Sequence, residues 1–367
     1  MKIRILSIIT GWRFYVTVAI ASALLPAASE QASIQELPSL PRAIAGHFVG
    51  TVDGSIVVAG GSRWATSSQF RKKVFEEKIE ILQPGATGWT EVANLPEAIA
   101  YGGSASLAHA MLVAGGQNDA GYSQKVWAIS RHAADWVTQA WPQLPIPLAN
   151  FSMARVGRRI YVFGGQEQLD GPASAQLWSL ELDAEDQPVS RWRREPSLPG
   201  AGRILAAAVG CSDRLYVIGG ASLVSTDAGK RTRYYLREVW SFQQDLGWKR
   251  MPDLPLASLG APAQCEADGD LLLLGGDDGH MAGRTLQPGE IHPGFSRTVL
   301  RFSASRKEWY QALTLPMGLV TTGSAVWKKG TLVLPGGEDR PGSRSNKVFE
   351  FRFDDGQTRS NRHNERF

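Results

Sequence analysis

The 367-residue chain has only two cysteines, and just 20% of its residues are charged. Two cysteines cannot form a disulfide framework, and neither has a CxxC partner or metal-ligand spacing. The 39 glycines show no G-X-Y period, which excludes a collagen-like chain. A hydrophobic content of 43% excludes wholesale disorder. Past the first 25 residues no apolar run approaches the roughly 20 residues a membrane-spanning helix needs. The chain also exceeds the ~250–300 residues at which a single core stops growing. It therefore requires two domains, or a repeat that adds core piece by piece.

The N-terminus reads as an export signal. Lys2, Arg4 and Arg13 precede an apolar stretch from Phe14 to Leu25, then Pro26-Ala27-Ala28-Ser29. A basic start, a short apolar run and small residues before a polar change are the features of a secretory signal, with cleavage expected after Ser29. Residues 1–29 are therefore expected to be removed, leaving an exported, periplasmic or secreted protein. Their loss takes three positive and no negative side chains, bringing the net charge from +4 to +1. The segment 358–367 carries Arg359, Arg362 and Arg366 against Glu365 and is expected to be a disordered basic tail. The body between is near neutral and lacks the clustered basic face of a nucleic-acid binder.

A short apolar run followed by Gly-Gly occurs six times, at Gly60-Gly61, Gly115-Gly116, Gly164-Gly165, Gly219-Gly220, Gly275-Gly276 and Gly336-Gly337. Intervals between the first glycines are 55, 49, 55, 56 and 61 residues. Unalternating runs such as Ile56 to Ala59 and Leu271 to Leu274 predict strands covered on both faces. A second signal interleaves with it. Trp89 leads to Leu95-Pro96, Trp141 to Leu144-Pro145, Trp192 to Leu198-Pro199, Trp248 to Leu254-Pro255 and Trp309 to Leu315-Pro316. Another short strand falls between each Gly-Gly and its tryptophan, so each unit holds about four strands, the make-up of a propeller blade. The pattern resembles the kelch repeat and implies an all-β, six-bladed propeller over residues 30–357. The sixth Gly-Gly is followed by Val348–Phe353 but by no Trp…Leu-Pro element. The missing element stands at the front, around Ile34 to Pro41, so the N-terminal strand is expected to close the ring as the outer strand of the last blade.

In kelch-type blades the segments after Gly-Gly and after Leu-Pro turn toward one mouth of the central channel. That places Arg63, Gln117, Asp277, Glu338 and Arg340 there from the first set, and Tyr101 and Arg203 from the second. Such a mouth suits a small, oxygen-rich, anionic ligand. Tyr101 and Arg203 fit a packing or ion-pair role equally well. The segment Gly337-Glu338-Asp339-Arg340-Pro341-Gly342-Ser343-Arg344, running into Lys347-Val348-Phe349-Glu350, resembles the sialic acid (N-acetylneuraminate) epimerases, or mutarotases. Further likeness lies in Ala45 to Gly50, Ile56 to Gly61 and Ala100 to Ser104, so the resemblance covers most of the chain in cyclically permuted order. Asp277 to His280 and His292 to Phe295 resemble the permuted branch.

The resemblance implies Glu338 as the acid/base residue and Arg344 as the holder of a substrate carboxylate. Arg63, Tyr101, Gln117, Arg203, Asp277 and Arg340 are then candidate substrate-binding residues, and Arg340 is the rival to Arg344. It implies a small anionic sugar as partner, and neither metal nor cofactor. The sequence departs from the family at His47, where a small residue is expected, and at Gln117, where some relatives carry an acid. A non-catalytic kelch module binding glycan or protein at the same mouth is the alternative; it predicts Glu338 and Arg344 apart. A copper radical oxidase, also built on kelch blades, needs a crosslinked cysteine in a mouth loop, where neither Cys211 nor Cys265 lies. These two fall on inner strands of adjacent blades at different distances from their Gly-Gly pairs, and are expected as buried thiols without a bridge. His47, His280 and His292 are too scattered to form a metal site by spacing, and the blade-end tryptophans are expected to pack between blades.

Overall fold

The computed structural model describes residues 32–66, 71–225, 231–287, 290–328 and 330–353. The proposed export signal (1–29) and basic tail (358–367) lie outside them. Six four-stranded antiparallel sheets follow one another around a central channel. The first blade runs outward from the channel through Phe48–Val52, Ser55–Ala59, Lys78–Leu82 and Thr90–Asn94. Blades 2 to 5 repeat this order, from inner strands Gly103–Ser106, Ser152–Val156, Ala207–Cys211 and Ala263–Cys265. Blade 6 takes Ala325–Lys328, Thr331–Pro335 and Val348–Phe353 from the C-terminal end, and Ala32–Leu37 from the N-terminal end as its outer strand. That strand pairs from Ala32 opposite Phe353 to Leu37 opposite Val348, so the ring closes as the sequence predicts.

The hydrophobic core is divided among the blade faces. The run Ser55–Ala59 is buried throughout, and so is Thr331–Pro335. Each seam between neighbouring blades holds its own apolar cluster. Blades 1 and 2 meet through Phe48, Ile79, Met111 and Trp127, and blades 5 and 6 through Leu272, Leu315, Leu334 and Phe351. Burying each such side chain contributes roughly 1.5–3 kcal/mol, so stability accrues seam by seam.

Tryptophan indoles stitch the outer edge. Nε1 of Trp89, Trp192, Trp248 and Trp309 donates to the carbonyls of Pro38, Pro142, Pro196 and Pro252 on the preceding blade, at 2.8, 2.9, 2.7 and 3.0 Å. The Pro38 acceptor follows the N-terminal strand, which puts that strand in phase with the other outer strands. In blade 2 the in-phase tryptophan is Trp136, which packs against the seam with blade 1. Trp141, expected in that role, is buried in the next seam, between blades 2 and 3.

The inner edge is stitched by backbone. Gly46, Tyr101, Asn150, Leu205, Gly260 and Thr321 occupy equivalent positions, all with φ between 51° and 70°. Each donates its N–H to the carbonyl of the preceding member at 2.7–2.9 Å, and Gly46 closes the circle on Thr321. Positive φ is costly for Tyr, Leu and Thr, so the closed circle of six hydrogen bonds holds these residues against their own preference. The Gly-Gly pairs add a second inter-blade stitch, the second glycine donating to the next blade at 2.7–3.3 Å. Gly219 shows why side chains are barred: its φ is +60°, and a Cβ there would lie 2.4 Å from the Ser258 carbonyl oxygen.

Cys211 and Cys265 form a disulfide, with Cα atoms 5.3 Å apart, correcting the expectation of two thiols. Their unequal distances from Gly-Gly suggested a mismatch of level. The inner strands of blades 4 and 5 lie side by side and place both at their outer ends, within bridging range.

Candidate functional site at the channel mouth

Among the described residues, four blades extend beyond their Gly-Gly pairs as two-stranded ribbons on the mouth side. Blade 1 contributes Ser62–Thr66 with Arg71–Phe75, and blade 6 contributes Glu338–Arg340 with Ser343–Arg344. The residue after each pair bridges to the one before the inner hydrogen-bond circle, as in Ala45 with Ser62 and Val320 with Glu338. This anchors Ser62, Gln117, Gln166, Ala221, Asp277 and Glu338 at one level around the channel. The channel below is a cavity of about 370 Å3 lined by the six inner strands.

The Pro341-Gly342 turn, with Gly342 at φ +72°, makes Glu338 and Arg344 cross-strand partners. Nε of Arg344 lies 3.4 Å from Glu338 Oε1. The Arg344 side chain is only 2% exposed, and that of Glu338 17%. Arg344 Nη2 donates to the Tyr101 hydroxyl at 2.9 Å, and Ser62 Oγ donates to the same oxygen at 3.0 Å. The guanidinium stands 4.8 Å from the Trp64 ring centroid. Its Nη1 is buried and has no hydrogen-bond partner. A buried cation whose one nearby carboxylate engages a different nitrogen leaves a donor free for an incoming anion.

Trp64, Arg71 and Lys73 complete this corner. The Arg71 guanidinium lies 5.0 Å from the Trp64 ring, and its Nη2 donates to the Gly342 carbonyl at 2.6 Å. Lys73 Nζ stands 5.0 Å from the Tyr101 ring. The first and last blades therefore clasp each other here, and the corner is rich in positive charge and aromatic surface. Sequence reasoning missed these three residues. A signal was available in the cross-strand pairing of Trp64 with Lys73, but only once the ribbon is known to fold back over the mouth.

His47 lies on the seam between blades 1 and 6. It is buried, with Nε2 2.9 Å from the Pro335 carbonyl and 3.3 Å from Thr322 Oγ1. Nδ1 is buried without a partner. Burial pushes the imidazole down to about 4, the Arg344 charge acts in the same direction, and the hydrogen bond to Pro335 opposes both. The residue is thus a neutral structural histidine whose bond to Pro335 fixes the end of the strand that leads through Gly336-Gly337 into Glu338.

The remaining candidates scatter. Arg203 takes the packing and ion-pair role that the sequence left open: its side chain is fully buried, donating to Glu238 Oε2 at 2.8 Å and to the Gly219 carbonyl at 3.1 Å. It occupies the position filled by Ile44, Ile99 and Leu148 in other blades, and burial holds its acidity constant below the usual arginine range. Arg63 pairs with Glu76 at 2.5 Å and makes no hydrogen bond with Arg344 among the described residues. Arg340 is half-exposed beside Asp339, at 3.9 Å, and does not join Arg344. Asp277 holds the blade-5 position equivalent to Glu338, where it accepts from the Tyr235 hydroxyl at 2.8 Å and from the Gly279 N–H at 3.0 Å. Gln117 holds the blade-2 position, on the wall of a neighbouring cleft. Of the sequence candidates, Glu338, Arg344 and Tyr101 converge. Among the described residues no three His, Cys, Asp or Glu side chains are grouped to hold a metal ion, and no helix is long and apolar enough to cross a membrane.

No protein-family model matches the chain. It is 28% identical over 237 residues to an N-acetylneuraminate epimerase of Yersinia enterocolitica, covering 58% of this chain and 57% of that protein. A Yersinia pestis N-acetylneuraminate epimerase is 25% identical over 236 residues, with the same coverage. Kelch-like protein 36 of Rattus norvegicus is 27% identical over 222 residues, 59% of this chain but only 33% of that one. The matches thus span little more than half of the epimerases and a third of the kelch-like protein. The solved structure of YjhT superposes with a TM-score of 0.62 at 18% identity, covering 85% of this chain and 95% of its own, which shows a shared fold. The chain is a six-bladed kelch-type propeller, distantly similar to N-acetylneuraminate epimerases.

Proposed function

We propose that the protein is an exported mutarotase that interconverts the α and β anomers of N-acetylneuraminate or a related 2-keto sugar acid. The observation that carries this reading is the Glu338–Arg344 pair, held at 3.4 Å with an unpartnered Arg344 Nη1 at the mouth of the ring. A non-catalytic module predicts these two side chains apart. Export is supported by the signal-like N-terminus and by the Cys211–Cys265 bridge, since disulfides persist in oxidising compartments.

Arg344 receives the substrate carboxylate through Nη1, with Tyr101 holding the guanidinium from the other side. This fixes the anomeric carbon, which bears that carboxylate, next to Glu338. The Glu338 carboxylate takes the proton of the anomeric hydroxyl. The carbonyl forms as the bond to the ring oxygen breaks, and the electron pair goes to that oxygen, which takes a proton back. Rotation of the open-chain keto acid and reclosure on the other face reverse these steps and give the second anomer. No electrons are gained or lost.

Proton NMR of one freshly dissolved anomer of N-acetylneuraminate tests the reading. Exchange should exceed the buffer rate and fall about 10²–10⁴-fold in Glu338→Gln, while Arg344→Met should raise KM. Exchange no faster than buffer, or a fully active Glu338→Gln, refutes it.

A further inference from the structure

Beside the Glu338–Arg344 corner lies a second cavity of about 600 Å3, between the ribbon Arg71–Phe75 and the loops after the Gly-Gly pairs of blades 2 and 3. Its volume is in the range of small-molecule sites. Lys73 joins the two places: it lines the cleft and stands 5.0 Å over the ring of Tyr101, whose hydroxyl is bonded to Arg344. Lys73 makes no ion pair with any described residue, and it is the one cation lining the cleft among the described residues. Phe75, on the same strand, and Tyr122, from blade 2, add aromatic surface to the lining, while Gln117, Asp119 and Glu167 add amide and carboxylate groups. Neither acid is ion-paired among the described residues.

This combination of chemistry in one cleft is specific. The end nearest Arg344 presents an uncompensated positive charge, which calls for an anionic group. The rest of the lining presents aromatic surface and hydrogen-bonding oxygens, and its negative charge disfavours a second anion while suiting hydroxyls. We propose that the cleft is a second sugar subsite, and that the substrate is an acidic oligosaccharide. Its reducing-end keto acid occupies the Glu338–Arg344 corner. The next acidic sugar, joined through the non-anomeric side of the first, places its carboxylate at Lys73 and its polyol portion between Tyr122 and Glu167. This substrate class rests on the mutarotase reading above, because the free anomeric centre must be the one presented to Glu338.

The test compares N-acetylneuraminate with its α2,8-linked dimer, following exchange at the reducing end by proton NMR with the full-length protein. The dimer should show kcat/KM about tenfold above the monomer, the equivalent of one additional favourable contact. Tyr122→Ala and Lys73→Gln should each collapse that ratio toward one, and the Lys73 effect should shrink as salt is raised. Equal handling of monomer and dimer, or a preference that survives both substitutions, overturns the subsite and leaves the mutarotase reading standing. If neither sugar is exchanged, the mutarotase reading falls, and isothermal titration with the dimer decides the cleft. Binding that is lost in Tyr122→Ala supports a sugar subsite, and no binding overturns it.

Discussion

His47 gives the fold a built-in sensitivity to acid that can be worked out from its surroundings. The imidazole is folded away from water, its Nε2–H donates to the Pro335 carbonyl, and Nδ1 faces no partner. Protonating Nδ1 would bury a positive charge with no acceptor, close to the Arg344 guanidinium, so the imidazole is held down to about 4 instead of 6.5. In the unfolded chain the same ring takes a proton below pH 6.5. Between the two values the unfolded state binds more protons, so stability rises with pH across this window. The contribution is fully present above pH 6.5 and is lost as pH falls toward 4. At about 1.4 kcal/mol per unit, the total is about 3.5 kcal/mol, of which about 2 kcal/mol has gone by pH 5. His47→Gln keeps an amide donor for Pro335 but cannot titrate. Urea unfolding of both proteins at pH 7.5, 6.5, 5.5 and 5.0 isolates the term, because the carboxylates contribute equally to both. The stability advantage of the natural protein over His47→Gln should shrink by about 2 kcal/mol from pH 7.5 to 5.0. A difference independent of pH would show that the ring is not held neutral, and would refute the reasoning.

Three other perturbations follow from the same seams. The Cys211–Cys265 bridge spans a sequence separation of 54 residues, and its removal by paired serine substitution should cost about 4 kcal/mol of chain entropy; two titratable thiols in the unreduced, denatured protein would show that the bridge is absent. Gly210 sits where the inner strands of blades 3 and 4 approach, and a Cβ there would stand 1.8 Å from the Arg155 carbonyl oxygen. Gly210→Ala should therefore lower stability by at least about 3 kcal/mol, read as a drop in melting temperature, and an unchanged melting temperature would contradict the packing. Arg203→Ala empties a fully buried site and strips the Gly219 carbonyl of the Arg203 donor, while Glu238 keeps Arg250 and Trp240; it should cost about 2–5 kcal/mol in urea unfolding, and a ligand-affinity defect with normal stability would instead return Arg203 to the mouth.

The blade count was legible because each blade repeats the same physical needs. An apolar strand must end, the chain must turn through conformations barred to Cβ, and an indole must reach the previous blade. Those needs leave Gly-Gly and Trp at fixed phase, and even the closing strand could be placed from the element missing at the end. Trp141 misled because two tryptophans, Trp136 and Trp141, bracket the outer strand of blade 2, and only the outer-strand register distinguishes them. The Glu338–Arg344 pair was readable because a Pro-Gly turn is local chemistry. Arg203 and the disulfide were not, since both depend on which surface of one blade meets the next. An arginine at a position filled elsewhere by Ile or Leu looks, in sequence, like an exposed loop residue.

The location of the candidate site follows from how the ring is closed. In five blades all four strands come from one continuous stretch, but blade 6 is completed by Ala32–Leu37 from the far end of the chain. Its mouth ribbon carries Glu338 and Arg344, whereas the residues that hold Arg344 in place, Tyr101, Ser62 and Trp64, belong to blade 2 and to the ribbon of blade 1. Arg71 reaches the turn at Gly342, and His47 reaches Pro335, across the same seam. A half-built ring therefore contains both Glu338 and Arg344 but not the geometry that buries Arg344 and leaves Nη1 unpaired. That geometry exists only when blade 1 has docked on blade 6, an event with sequence separations of 243 residues for Tyr101 to Arg344 and 288 for His47 to Pro335. Such distant contacts form late and at high entropic cost. The circle of inner hydrogen bonds and the outer indole stitches supply the compensating rigidity, so the strained, underpaired corner is held by cooperation around the whole ring rather than by its own contacts.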